Sequence, residues 1–272
     1  MSGIAPDPFK PRVVTLVSRR TVDGVDEPGF LRMADAAAHA PVGALLLSGG
    51  SHELAAHSLA LWDPFLVLRT RGDRLEWSAG GATMSHRGDP LELLDRALSA
   101  MRPDFPRGLL PFAGGAVGYF AYDLKNRIER LPRRAAADPR LPDAFLFWPR
   151  KILVHDRAAA TVEELELGFE GEGPRAETVT AALPQAVASP LQPFHLGTLR
   201  SNFTHAAYLR AVDRVRRLIR QGDVYQVNLS QRFTSSFQGD PFTLFRELFQ
   251  RNPAPFSAYV QGGDHQALSS SM

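Results

Sequence analysis

The 272-residue chain contains no cysteine. A disulfide framework and a thiolate metal site are therefore both excluded. Long apolar runs are missing too. None approaches the ~18 residues of a membrane span, and the opening MSGIAPDPFKPR lacks the apolar core of a secretory signal. Neither sign of charge dominates, with 31 Lys and Arg against 29 Asp and Glu. A small surplus of Arg makes the chain basic without clustering, so the electrostatic footprint of a nucleic-acid binder is absent. The eight histidines form no HExxH or His-x-His pair, and there is neither a GxSxG elbow nor a GK[ST] phosphate loop. These absences describe a soluble, cytoplasmic chain with no membrane segment and no self-contained catalytic set.

What is present reads as short strands interleaved with few helices. Residues 1–11 carry three prolines and form an irregular arm. Arg12 to Ser18 reads as a strand, Pro28 to Ala40 as a short helix, and Gly43 to Ser48 as a strand closed by Gly49-Gly50. Gly72-Asp73 separates strands at Ser58–Thr70 and Arg74–Ser78 as a hairpin. Leu91, Leu94, Leu98 and Met101 recur at helical spacing in Pro90–Met101. Gly114 to Asp123 reads as a bulge or a ligand-hugging loop, or else as a tight sheet corner carrying Tyr119 and Tyr122 as half-buried aromatics. Arg133 to Pro142 is a loop, and Ala144–His155 with Thr161–Phe169 is a second hairpin. This pattern predicts an α+β fold with an antiparallel sheet. Residues 171–197 change character, rich in Ala, Pro and Gly, and mark a linker between a 1–170 domain and a second part over 198–272. Within the linker, 176–187 is a weak helical segment.

The second part opens on a helix with Thr204 as N-cap and Gly222 at its C-terminal cap. Tyr208, Ala211, Val212, Val215, Leu218 and Ile219 form its apolar stripe. Arg210, Arg214, Arg217 and Arg220 lie opposite as a solvated face; the alternative is a face that meets an acidic partner. The following stretch, GDVYQVNLSQRF, reads as a strand. Tyr225, Val227, Leu229 and Phe233 share one face, and Gln226, Asn228, Ser230 and Arg232 the other. Such a polar face either meets water or holds a polar ligand. A last helix, Pro241 to Gln250, carries Phe242, Leu244, Phe245, Leu248 and Phe249 for core packing.

GDVYQVNLSQRF resembles the stretch that opens the chorismate-binding domain of the chorismate-utilising enzymes. Three further segments agree in order. Residues 114–123 (GGAVGYFAYD) resemble the GGxxGYxxYD segment, Asn252-Pro253-Ala254-Pro255-Phe256 resembles the NPxPF/Y element, and Gln261 to Ser271 resembles the strand leading into SPERF. Val227-Asn228 and Phe256-Ser257-Ala258-Tyr259 are similar to the aminodeoxychorismate branch. Leu46-Leu47-Ser48-Gly49 lacks the Glu that precedes Ser in the LLES segment of the anthranilate branch.

The resemblance implies an antiparallel β-sandwich of the anthranilate synthase component I type, incomplete at its C-terminal end. It implies amination of chorismate to 4-amino-4-deoxychorismate for folate synthesis. Ammonia comes from a glutamine amidotransferase subunit, and Mg²⁺ grips the substrate. The catalytic residues and Mg²⁺ ligands of the family find no match here, so they are expected beyond Met272, and the chain alone is expected to be inactive. Gln226 and Ser230 are implied to border the chorismate pocket. Ser48, Pro255 and Phe256 match residues of a tryptophan-type pocket. An anthranilate synthase fragment, or a non-catalytic half that binds tryptophan or a partner, is the alternative.

Overall fold

The computed structural model describes residues 7–105, 112, 114–132, 141–172 and 193–271. Most of the predicted linker with its 176–187 helix, most of the 133–142 loop, and the start of the N-terminal arm lie outside them. The chain divides into two compact units, Met1–Pro190 together with Phe245–Met272, and Leu191–Leu244.

The first unit is built on one eleven-stranded sheet. Its longest strands are β3 (His57–Arg71) and β8 (Ala144–Asp156), which pair antiparallel along their length. Each is interrupted by proline. Pro64 faces Pro149 across the ladder, with a register shift beside them and Asp63 at positive φ. Proline donates no ladder hydrogen bond and is tolerated in a sheet at such an irregularity. The interruption has a topological consequence, because the sheet changes neighbours there. On one side β3 meets β2 (Gly43–Leu47), while β8 meets β9 (Thr161–Phe169). On the other side β3 meets β4 (Arg74–Ala79), which pairs in turn with β5 (Ala82–Arg87), and β8 meets β7 (Val117–Phe120). Beyond β9 lie β1 (Arg12–Asp23) and β6 (Met101–Asp104), the latter in the one parallel pairing among the described residues. Beyond β2 lie β14 (Phe256–Gln261) and then β15 (Gln266–Ser271).

The core collects alternate residues of these strands. Leu61, Leu66, Leu68, Phe145, Phe147, Trp148, Ile152 and Leu165 are buried together. Helix α3 (Pro90–Ala100) adds Leu93, Leu94 and Ala97, and its first turn is capped by the Asp89 carboxylate, which accepts from Leu91 N and Glu92 N. The segment predicted as one helix at 28–40 is two, α1 (Glu27–Met33) and α2 (Asp35–His39). A short 3₁₀ turn at Tyr122–Leu124 leads into α4 (Lys125–Ile128). Tyr122 is 83% exposed, so only Tyr119 of the two tyrosines is half-buried.

The second unit holds two short ladders, β10 (His195–Leu196) with β13 (Phe237–Gln238) and β11 (Arg200–Ser201) with β12 (Phe233–Thr234). Its helix α5 (His205–Gln221) starts and stops as its sequence requires: Thr204 Oγ1 accepts from Ala207 N, and Gly222 takes the left-handed conformation at φ 79°. None of its residues is fully buried: Tyr208, Ala211, Val212, Val215 and Leu218 of the apolar stripe are half-buried, and Ile219 is exposed.

Two expectations need correcting. The stretch from Val224 to Arg232 is not a strand; only Phe233–Thr234 pairs, with β11. A strand is made by its neighbour, and alternation without a partner leaves the backbone irregular and Tyr225 96% exposed. Nor do residues 198–272 stay together. From Phe245 onward they join the first unit, because β14 lays a full ladder against β2, from Ser257↔Leu47 to Gln261↔Gly43. Helix α6 (Pro241–Arg251) carries the buried Phe245 and Phe249, and Phe245 packs 5.6 Å from the Tyr259 ring on β14. No helix among the described residues is long and apolar enough to cross a membrane.

Candidate functional site

The β2–β14 pairing brings the Ser48 and NPxPF segments to one end of the sheet. Leu47 is opposite Ser257, so Ser48 and Phe256 follow at the adjoining strand ends. Ser48 is buried and its hydrogen bonds run to β3. Its N–H donates to Ser58 Oγ at 3.1 Å, and its hydroxyl donates to His57 O at 2.6 Å. The next residue closes on the opposite segment. Gly49 N–H donates to Ala254 O at 3.0 Å, and a Cβ built on Gly49 falls 2.5 Å from the Pro253 carbonyl carbon. Only glycine fits that approach. Asn252 Nδ2 donates to Ser270 Oγ on β15, tying the Asn-Pro turn to the last strand. Phe256 is 51% exposed while its neighbour Ser257 is buried. Ser48, Pro255 and Phe256 are thus gathered, with the Ser48 proton committed to a carbonyl and its lone pairs left to accept.

Gln226 and Ser230 lie in the second unit, on the irregular segment before β12, and both are exposed. Gln226 Nε2 reaches Asn228 Oδ1 at 3.5 Å. The described residues give these two side chains no common wall.

A second cluster in the first unit was not legible as a site in the sequence. Within GGAVGY, Gly118 sits on β7, and a Cβ there falls 1.9 Å from Phe145 O. Its absence lets β7 close on β8 and carries Tyr119 to the turn between β14 and β15. There the Tyr119 hydroxyl meets His265 Nε2 at 2.7 Å, and His265 Nδ1 meets Asp264 Oδ1 at 2.8 Å. The carboxylate accepts from Nδ1–H, which leaves Nε2 to accept the tyrosine proton. The His265 hydrogen bond holds the Asp264 carboxyl below its ordinary range, and burial pushes the Tyr119 phenol up. Arg69 donates to Gly262 O at 2.8 Å in the same turn and lies 5.2 Å from the Phe145 ring centroid. Burial lowers the pKa of its guanidinium. These hydrogen bonds tie β3, β7 and the β14–β15 turn together. The sequence signals were the tyrosine of the Gly-rich segment and the Asp-His pair before the last strand, some 146 positions apart.

Among the described residues, no three His, Asp or Glu side chains gather to hold a metal ion. The acids at hand serve the fold: Asp123 pairs with Lys125 at 3.0 Å, and Asp264 is engaged with His265.

The family model for chorismate binding enzymes matches residues 46–272. This chain belongs to that family. Chorismate-binding enzymes similar to it include aminodeoxychorismate synthase component 1 of Salmonella typhimurium, 35% identical over 235 residues, covering 85% of this chain and 50% of the relative. The Escherichia coli protein of the same name is 33% identical over 257 residues, covering 93% of this chain and 54% of the relative. Anthranilate synthase component 1 of Cereibacter sphaeroides is 32% identical over 198 residues, covering 68% of this chain and 40% of the relative. The chain spans about half the length of the curated relatives it matches. The crystal structure of anthranilate synthase component I from Streptococcus pneumoniae superimposes with a TM-score of 0.59 at 24% identity, over 82% of this chain and 51% of that one. That likeness establishes the fold: helices with a large, mostly antiparallel sheet.

Proposed function

We propose that this chain is the N-terminal part of an aminodeoxychorismate synthase component I. The observation that carries the proposal is coverage. At matched identity it favours this branch: three aminodeoxychorismate synthase relatives align at 33–35% identity over 83–93% of the chain, whereas the anthranilate synthases at 32–34% identity cover 62–68% and one that covers 82% is 26% identical. Leu47 before Ser48, in place of the anthranilate branch's Glu, supports the same branch.

The complete enzyme would replace the 4-hydroxyl of chorismate with ammonia from a glutamine amidotransferase subunit. The remaining sheet of a β-sandwich, the catalytic residues and the Mg²⁺ ligands would come from the part of the relatives that this chain does not span. Among the described residues, no His, Asp or Glu cluster would hold the ion. The α5 stripe, only half-buried, and the exposed Gln226 and Ser230 fit a unit that packs against that other part, with the two polar side chains bordering chorismate. A tryptophan-type ligand would sit at Ser48, Pro255 and Phe256.

Complementation tests the branch. The complete gene should restore growth without p-aminobenzoate to a strain lacking aminodeoxychorismate synthase component I. Rescue of a tryptophan auxotroph lacking anthranilate synthase instead would overturn the assignment.

A further inference from the structure

Helix α5 carries five arginines and one acid, Asp213. Arg210, Arg214 and Arg217 follow at the i, i+4, i+7 spacing of one face, a row about 10 Å long. All three are exposed. None has an ion pair or hydrogen bond among the described residues, since Asp213 reaches Arg216 instead, at 3.9 Å. Arg220 stands in the last turn, where a cation complements the carbonyl end of the helix. The row has no such account, and like charges three and four residues apart repel and destabilise a helix. Several surface arginines of the first unit are matched with acids: Arg19 with Glu163 at 2.7 Å, Arg74 with Glu76 at 2.9 Å and Arg87 with Asp73 at 3.0 Å.

Helix geometry and charge narrow what the row can meet. Tyr208, Val212 and Val215 lie on the opposite side of α5, half-buried. The part of the relatives that this chain does not span is matched to that apolar side, so the arginines look away from it. A second copy would set the row against itself across a two-fold axis, cation on cation. The balanced charge of the chain, 31 basic against 29 acidic residues, argues against a nucleic acid. What the row complements is a protein surface with carboxylates about 5–6 Å apart, the spacing of acids at i, i+3 and i+4 on a helix. Each guanidinium can take a carboxylate through two parallel N–H donors.

We propose that Arg210, Arg214 and Arg217 dock a protein partner through a row of its carboxylates, and that this partner is the glutamine amidotransferase subunit. The identity of the partner rests on the proposed function. The test titrates the complete protein with its amidotransferase subunit by calorimetry, and measures product formed from chorismate and ammonium alone. Affinity should fall about tenfold or more between about 50 and about 300 mM NaCl, because exposed charges are screened. The triple variant Arg210→Glu, Arg214→Glu, Arg217→Glu should lose about tenfold or more at low salt and retain the ammonium-dependent rate. The charge-matched control Arg20→Glu, Arg102→Glu, Arg130→Glu, at exposed positions of the first unit, should bind as the parent does. No binding by the parent, undiminished affinity in the α5 variant, or an equal loss in the control would each overturn the proposal. Loss of the ammonium-dependent rate in the α5 variant would give the row to the enzyme's own fold, and binding of a DNA duplex lost in that variant would give it to nucleic acid; either overturns it. Affinity is read apart from product, so anthranilate in place of aminodeoxychorismate would overturn the branch while the affinities still judge the row.

Discussion

Gly118→Ala should be among the most damaging single-methyl changes in the first unit. The added Cβ falls 1.9 Å from Phe145 O and 2.8 Å from the Phe145 carbonyl carbon, both backbone atoms that no rotamer change can move. Relief requires β7 to withdraw from β8, and the two share only the four pairs Val117↔Phe147 to Phe120↔Ala144. Overpacking of this kind costs about 1–3 kcal/mol. Withdrawal also stretches the 2.7 Å Tyr119–His265 hydrogen bond, worth about 1 kcal/mol net. The expected loss is about 2–4 kcal/mol by those two terms together. Urea unfolding followed by circular dichroism measures it. Tyr119→Phe separates the second contribution from the first. Gly80→Ala, where nothing lies within 4 Å, isolates the backbone cost of alanine at positive φ. Should Gly118→Ala fall within about 0.5 kcal/mol of the parent chain, the range of ordinary surface changes, the account of the Gly-rich segment fails.

Gly49→Ala should separate the Ser48 loop from Pro253, seen as faster exchange of the amide at position 49, which donates to Ala254 O; unchanged exchange would contradict the contact. Arg157→Met should free the 50–56 loop, which limited proteolysis would report as a new cut there, with a stability loss of about 1–3 kcal/mol. His155 has a folded pKa below 6.5 because burial disfavours its charged form. The unfolded chain then binds the extra proton first, so stability holds above pH 6.5 and falls as pH drops through the folded value. His155→Gln should flatten that acid slope in urea titrations; an unaltered slope would assign it to other groups. The 272-residue chain, given chorismate, ammonium and Mg²⁺, should form no aminodeoxychorismate, and any measurable product would place catalytic residues within it.

Local rules carried the sequence far where one element decides its own form. The α5 caps at Thr204 and Gly222 and the hairpin over Asp156 follow from spacing and turn chemistry, whereas the α3 face is Leu93, Leu94, Ala97 and Ala100, with the expected Leu98 exposed. Where form depends on a distant neighbour, the sequence spoke less clearly. GDVYQVNLSQRF alternates as a strand does, yet alternation supplies no partner, and the segment is irregular. Phe256 to Gln261 sit far from Gly43 to Leu47 in the chain, and nothing local announces their ladder. The Asp264–His265–Tyr119 connection is likewise invisible until β7 and the β14–β15 turn meet. Ser48 and Phe256, picked out by motif, lie at adjoining ends of β2 and β14; Gln226 and Ser230 are exposed on the other unit.

The central claim is the branch of the family to which the chain belongs. Mass spectrometry of the product made by the complete protein from chorismate and ammonium tests it most directly. The account predicts 4-amino-4-deoxychorismate, with the enolpyruvyl group retained. Anthranilate with released pyruvate would contradict it.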